Sequence, residues 1–308
     1  MSSAALIALD WGTTRARAFR IDATGRVLDT RSGDLGVQRL GGATFPQALA
    51  QLTGDWSDER APRLACGMIG SRQGWREAPY LPCPASLEAL SRGFVEVEGA
   101  ALAIVPGLST RDGSGLPDVM RGEETQIFGA VPIDAPRTLV VLPGSHSKWA
   151  RVERGVVLDF STYLTGELYD ALVGHTILGR LATPAREGTP GPAFLRGVER
   201  GLGSGQTLHD IFGARTLALS GELEPDSIRD WLSGLLIGRE VRAGRVWAQL
   251  AGDDAARVLV VGSDALAERY LTALAAADVA AERGPAEAAA TGLYRIARAA
   301  GRLAPEHR

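Results

Sequence analysis

Leu6-Ile7-Ala8-Leu9-Asp10-Trp11-Gly12-Thr13-Thr14-Arg15-Ala16-Arg17-Ala18-Phe19-Arg20-Ile21 is the stretch that decides the fold. The apolar run over residues 4–9 reads as a buried strand ended by Asp10. After the Gly12-Thr13-Thr14 turn, Arg15, Arg17, Phe19 and Ile21 alternate with Ala16 and Ala18, the period of a second strand. Asp22-Ala23-Thr24-Gly25 is another turn signal, and Val27-Leu28 begins a third strand. The same meander returns downstream. Thr138–Leu142 is a strand, Pro143-Gly144-Ser145-His146-Ser147 a turn, Lys148–Val152 a strand, Glu153-Arg154-Gly155 a turn and Val156–Leu158 a strand. Gly12 and Gly144 lie 132 residues apart, Gly25 and Gly155 130. One register held through two turns indicates a duplicated domain.

Outward from the first meander, the pattern predicts a helix over 45–53, a strand over Arg63–Ile69, a helix capped by Ser86, a strand over Leu102–Val105 and a helix from Glu123. Val131–Pro136, with prolines at 132 and 136, cannot continue that helix and reads as a linker. The second half predicts helices within 165–250, among them Ser227–Trp247, then a strand over Arg257–Val261 and a helix after Gly262-Ser263. A short strand near Val279 and a last helix with Pro285 in its first turn complete it. The expectation is an α/β chain of two domains, 1–133 and 134–308, with an active site in the cleft between them.

The 308 residues are 45% apolar, enough for two cores, and exclude disorder and small disulfide scaffolds. With 33 basic against 36 acidic residues the net charge is −3, so no broad positive field exists for a nucleic acid or an anionic membrane. Cys66 and Cys83 form no C-x-x-C pair, which suits a reducing compartment. His146, His175, His209 and His307 have no zinc-ligand spacing. The amino-terminal run has no basic region before it and Asp10 interrupts it, so a soluble cytoplasmic protein is expected. No Walker motif and no G-x-S-x-G elbow is present, and Gly201-Leu202-Gly203-Ser204-Gly205 follows a helical stretch, not the strand that a dinucleotide fingerprint needs. Lys148 is the single lysine beside 32 arginines. A GC-rich coding bias accounts for the arginines but leaves the lysine to be explained.

A Gly-Thr-Thr or Gly-Ser-His-Ser turn between strands concentrates backbone N–H groups and hydroxyls at one point, where phosphate oxygens can bind without a lysine-rich loop. Gly12, Thr13 and Thr14 on one side and Gly144, Ser145 and His146 on the other are the candidate phosphate contacts. Asp10, just before the first turn, either holds a hydrated magnesium ion or caps the turn.

Together these turns resemble the sugar kinase, Hsp70 and actin superfamily, whose fold is two ribonuclease H-like (actin-like ATPase) domains. Local motifs resemble the 2-dehydro-3-deoxygalactonokinase family specifically: Ala8–Thr14 with Arg17, Gly67–Ser71 with Gly74-Trp75 and Ala78–Tyr80, Ile104–Gly107, Met120–Gln126, Pro143–Trp149, Thr165–Leu168 and Ser233–Gly238. The resemblance implies ATP-dependent, magnesium-dependent phosphorylation of the terminal hydroxyl of a 2-keto-3-deoxy sugar acid. It also implies a carboxylate near the attacking hydroxyl, Glu123 first and Glu124 second, where the superfamily carries an aspartate. For the sugar acid, Arg121 is the first candidate donor, followed by the Gly70-Ser71-Arg72 turn, with Trp75 and Tyr80 either as walls or as core aromatics. Gly262 and Ser263, at a strand end, would take the adenosine; Thr291-Gly292 falls where the superfamily hinges. Lys148, directly after the second turn, becomes a candidate phosphate contact or a strand-surface residue. The partners expected are the sugar acid and ATP, with no nucleic acid and no membrane; homo-oligomerisation is left open. Alternatives are a kinase for another sugar acid or ketose and, in a different class, a non-catalytic ATP-binding sugar sensor. A chaperone-type protein would need extra interaction domains, and a regulator a helix-turn-helix ahead of the first strand, where none is found.

Overall fold

A computed structural model describes residues 4–54, 56, 61–183, 189–203, 205–249 and 257–304. The chain divides into two compact units: unit 1 is residues 1–136, 152–159 and 287–308, and unit 2 is residues 137–151 and 160–286.

Unit 1 begins with the expected meander, β1 (Leu6–Trp11), β2 (Ala16–Ile21) and β3 (Val27–Gly33), paired antiparallel with Leu9 opposite Ala18 and Phe19 opposite Thr30. Helix α1 (Phe45–Thr53) covers the sheet where the sequence places it, because Thr44 and Gln47 form a reciprocal capping box: Gln47 N–H donates to Thr44 Oγ1 at 3.4 Å and Thr44 N–H to Gln47 Oε1 at 2.8 Å. Strand β4 (Arg63–Cys66) runs parallel to β1 and stops earlier than predicted. Gly67 adopts φ +93° and turns the chain into a single 3₁₀ turn over Met68–Gly70, which removes Ile69 from the strand.

Five short strands were not legible: β5 (Tyr80–Pro82), β6 (Ala85–Ser86), β7 (Val95–Val97), and, on either side of Asp112–Leu116, β9 (Gly107–Arg111) and β10 (Pro117–Met120). Between them lie α2 (Leu87–Arg92), capped by Ser86 as expected, and β8 (Leu102–Ile104). The main sheet has the order β3-β2-β1-β4-β8-β7, and β10-β9-β5 form a second, small sheet. Helix α3 (Glu123–Ala130) closes this part of the chain.

The second half of the chain repeats the plan with β11 (Thr138–Leu142), β12 (Ser147–Glu153) and β13 (Val156–Tyr163), of which residues 152–159 group with unit 1 and the rest with unit 2. Helices α4 (Thr165–His175), α5 (Pro192–Gly203), α6 (Thr207–Leu219) and α7 (Ile228–Gln249) follow, then β14 (Arg257–Val260), α8 (Asp264–Ala276) and β15 (Ala281–Arg283). The short strand expected near Val279 thus sits two residues later, after the left-handed Asp278 (φ 57°). The order β15-β14-β11-β12-β13 matches β8-β4-β1-β2-β3 strand for strand. Duplication read from two glycine spacings is therefore a duplication of topology.

Each unit has its own core. In unit 1, Leu9, Trp11, Ala18, Leu49, Ala65 and Ile104 pack together; in unit 2, Val141, Trp149, Val198, Val241, Val260 and Leu274 do so. The last helix, α9 (Ala288–Ala299), begins after Pro285 and belongs to unit 1, packed on α3. A Cβ on Gly129 would stand 1.8 Å from the Ala288 carbonyl oxygen and one on Gly292 1.9 Å from that of Thr125. The two helix backbones touch, which explains a glycine that otherwise costs about 1 kcal/mol inside a helix. Among the described residues no helix is long and apolar enough to cross a membrane.

Candidate active site

The first turn is held from behind by backbone. Gly36, Val37 and Gln38 donate their N–H groups to the carbonyls of Thr14 (3.1 Å), Gly12 (3.0 Å) and Thr13 (2.9 Å). With those carbonyls engaged, the N–H groups and hydroxyls of Thr13 and Thr14 meet no acceptor among the described residues. This is the donor-rich concavity that a phosphate needs. Asp10 lies next to it at the end of β1, opposite Cys66 of β4. Its Oδ2 accepts from Arg17 Nη2 at 2.5 Å, while Oδ1 has only the Cys66 thiol at 3.9 Å.

Three segments converge beside Asp10 because two glycines permit it. A Cβ on Gly67 would lie 2.7 Å from the Trp11 carbonyl oxygen, and one on Gly122 3.1 Å from Gly67 Cα. Gly122, at φ +107°, caps α3, and the two acids after it bend back: Glu123 Oε2 accepts from the Arg121 N–H at 3.0 Å and Glu124 Oε2 from the Gly122 N–H at 2.6 Å.

The two glutamates then differ. Glu124 is fully buried and also accepts from the Thr125 hydroxyl; burial first, and the neighbouring Glu123 charge second, push its pKa up to about 8, so it is mostly protonated at neutral pH. Glu123 is only half-buried. Cys66 sits behind this pair, its thiol pushed well up by burial and by the charges of Asp10 and Glu124.

Arg121 is 8% exposed and heavily constrained. Nη2 donates to the Ala78 carbonyl at 2.7 Å, Nε to the Tyr80 hydroxyl at 3.3 Å, and the guanidinium lies 4.2 Å from the Tyr80 ring centroid. Among the described residues, its Nη1 and the Ser71 hydroxyl are both enclosed without a hydrogen-bond partner. Leaving such a donor unmatched costs about 1–3 kcal/mol, more for a charged group. Arg121, Tyr80 and the Gly70-Ser71 turn are thus brought together: a Cβ on Gly70 would stand 2.9 Å from Arg121 Nη1. Two other expected substrate residues go elsewhere. Trp75 stacks on Phe45 at 5.7 Å and packs against the core, while exposed Arg72 reaches Glu77 at 3.7 Å.

In unit 2 the second turn is held by side chains. Ser147 Oγ lies 3.4 Å from the Gly144 N–H and 2.8 Å from the Tyr270 hydroxyl, and Tyr270 donates to Glu240 Oε2 at 2.6 Å. The His146 ring contacts Glu167, whose own N–H donates to the Ser145 carbonyl at 3.0 Å. The N–H groups of Ser145 and His146 meet no acceptor among the described residues. Lys148 is 3% exposed, with Nζ donating to the His146 carbonyl at 3.1 Å, so it is not a strand-surface residue. Gly262 lies beside the turn, its Cβ position 3.5 Å from Pro143 Cδ; exposed Ser263 caps α8 without spending its hydroxyl on the helix. Glu167, Glu240 and Tyr270 escaped the sequence reading. Glu167 lies within Thr165–Leu168, a stretch that was singled out, whereas Tyr270 carries no local signal.

A doubled 3-2-1-4-5 sheet with a hydroxyl-bearing glycine turn after the first strand of each copy defines the ribonuclease H-like, actin-like ATPase fold. The fold is shared with the ADPNP-bound activator of 2-hydroxyisocaproyl-CoA dehydratase from Clostridium difficile, at 14% identity and a TM-score of 0.53 over 97% of this chain and 96% of that one. Within that class, residues 10–296 match the family 2-keto-3-deoxy-galactonokinase. The chain is 38% identical over 284 residues to the 2-dehydro-3-deoxygalactonokinase of Escherichia coli (strain K12), covering 92% of this chain and 94% of that protein. It is 35% identical, with a TM-score of 0.85, to a Sinorhizobium meliloti protein whose solved structure carries the same assignment, covering 96% and 98% of the two chains. The chain belongs to this kinase family.

Proposed function

We propose that the protein transfers the γ-phosphoryl group of ATP to the 6-hydroxyl of 2-dehydro-3-deoxy-D-galactonate, giving the 6-phosphate and ADP, in galactonate breakdown in the cytoplasm. The observation that carries the substrate class is the enclosed, unpartnered Nη1 of Arg121 next to Glu123. A buried cationic donor calls for an anionic acceptor, which a sugar acid supplies through its carboxylate and a neutral ketose does not. The Ser71 hydroxyl adds a second donor, and Tyr80 a wall.

Glu123 takes the proton of the attacking hydroxyl as that oxygen bonds to the γ-phosphorus and ADP leaves. Glu124, held protonated by burial, leaves Glu123 as the charged member of the pair. The Thr13, Thr14, Ser145 and His146 N–H groups, with Lys148, hold phosphate oxygens, and Gly262 and Ser263 take the adenosine.

Asp10 fits a magnesium ligand. One of its oxygens lacks a close protein partner, and a magnesium ion needs only one or two carboxylates beside water and phosphate oxygens. Among the described residues no group of three or more His, Cys, Asp or Glu offers an all-protein cage. When bound, magnesium neutralises charge on the phosphates.

The test is a coupled ADP-release assay on galactonate-derived and gluconate-derived 2-keto-3-deoxy acids and on simple ketoses. Fastest turnover is expected with the galactonate-derived acid and negligible turnover with ketoses. Equal or absent activity on all 2-keto-3-deoxy acids contradicts the assignment.

A further inference from the structure

The second turn rests on a buried carboxylate that the reaction as described does not use. Glu240, on α7 and 3% exposed, joins four segments around that turn. Its Oε1 accepts from Trp149 Nε1 of β12 at 2.8 Å and its Oε2 from the Tyr270 hydroxyl of α8 at 2.6 Å; the side chains of Thr165, at the start of α4, and Ser147, in the turn itself, also bond to it. A carboxylate is costly to bury, and a glutamine or an apolar side chain would fill the same space without that cost.

The chemistry of the partners sets the direction of every bond. Burial pushes the Glu240 pKa up, but the side-chain hydrogen bonds from Thr165, Tyr270, Trp149 and Ser147 oppose it; an indole N–H only donates and the ionised carboxylate they favour only accepts, so Tyr270 gives its proton to Glu240. The Ser147 hydroxyl proton is then shared between the Tyr270 oxygen, 2.8 Å away, and Glu240 in preference to the Gly144 carbonyl at 3.5 Å, which leaves the Ser147 oxygen to accept the Gly144 N–H at 3.4 Å. The Ser147 proton therefore points inward, and the turn is closed on itself by Gly144. Its outward donors are the N–H groups of Ser145 and His146.

We infer that Glu240 is a positioning residue for the phosphoryl donor: through Tyr270 it orients the Ser147 hydroxyl and so fixes the second turn in its phosphate-binding conformation. This rests on the reading that the turn holds ATP phosphates. Glu240→Gln keeps the shape but reverses the chain. With its carbonyl facing the Trp149 indole, the amide nitrogen faces Tyr270 and makes that hydroxyl an acceptor, so Ser147 loses its inward acceptor. Tyr270→Phe cuts the same chain from the other end.

The experiment measures, on the full chain, the affinity for a non-hydrolysable ATP analogue and both KM values for wild type, Glu240→Gln, Tyr270→Phe, the double variant and Lys148→Ala, with a thermal melt of each. About tenfold weaker analogue binding is expected for each single variant of the chain, the size of one lost charge-assisted hydrogen bond. The KM for the sugar acid should stay within about twofold, and the double variant should be no worse than either single one, the signature of one coupled unit. If Glu240→Gln does not fold, Tyr270→Phe carries the test. Wild-type analogue affinity in a folded Tyr270→Phe or Glu240→Gln, or an equal rise in both KM values, overturns the inference. If Lys148→Ala weakens analogue binding while the other two do not, the positioning role alone fails; if none of the three does, the reading of the turn as a phosphate site fails with it.

Discussion

The two glycine turns are held in place by opposite means. The first is tied down by main chain: residues 36–38 engage its three carbonyls, so the shape survives changes in its side chains. The second is tied down by buried side chains, Ser147, Tyr270 and Glu240, and by the contact of Glu167 with His146. The surroundings differ in the same sense. Near the first turn, Arg121 Nη1 and the Ser71 hydroxyl are unmatched; around the second, the Ser147, Tyr270 and Trp149 donors all have partners. Both turns keep outward N–H groups for a ligand; the difference is that the side chains behind the second are already matched to one another, whereas two beside the first are not. With the sugar acid at Arg121 and the nucleotide at the second turn, as proposed, sugar-acid binding should satisfy the unmatched donors, and scaffold substitutions should be felt in nucleotide binding.

The sharpest break of this contrast is Glu123→Gln, which removes the proposed base without touching either turn. Turnover should fall about 100-fold or more with the KM for ATP little changed; near-normal turnover moves the role to Glu124 or to positioning alone. Lys148→Arg comes next. A buried ammonium at a phosphate is poorly replaced by a planar fork, so kcat/KM for ATP should fall more than about tenfold; a wild-type value would remove Lys148 from the phosphate contacts. Arg121→Lys should raise the KM for the sugar acid up to about tenfold and leave that for ATP alone, because one of the guanidinium's donors is lost to the carboxylate; equal effects on both substrates would mean that Arg121 only supports the fold.

The smallest effect is on stability. The folded state holds Glu124 at about 8, above its ordinary 4.5, so it favours the protonated acid. That contribution is complete below the ordinary carboxyl range and is lost as pH rises toward 8, by up to about 1.4 kcal/mol per pH unit. Glu124→Gln should therefore flatten the decline of melting temperature between about pH 5 and pH 8. An unchanged slope would place the titration elsewhere.

The meander, its duplication and α1 were legible because each is written in neighbouring residues: alternation, turn glycines, a Thr44–Gln47 cap. The small sheet was not. Its strands are three to five residues long, and β9 and β10 bury only Gly107, Leu108 and Met120, too few positions to show an alternation. The same divide runs through the site. Asp10, Arg121 and Glu123 sit in compact motifs, whereas Ser147 and Tyr270 meet across 123 positions and Tyr270 and Glu240 across 30. Trp75 shows the converse: an aromatic beside a glycine turn fits a sugar wall and a core equally well in sequence, and the half-buried ring stacks on Phe45.

Phosphorus-31 NMR of a reaction containing ATP, magnesium and 2-dehydro-3-deoxygalactonate tests the central claim most directly. One new phosphomonoester at carbon 6, growing in step with ADP with the wild-type protein and not with Glu123→Gln, is the predicted result. ADP accompanied by inorganic phosphate, or the same ester at the same rate from Glu123→Gln, would contradict it.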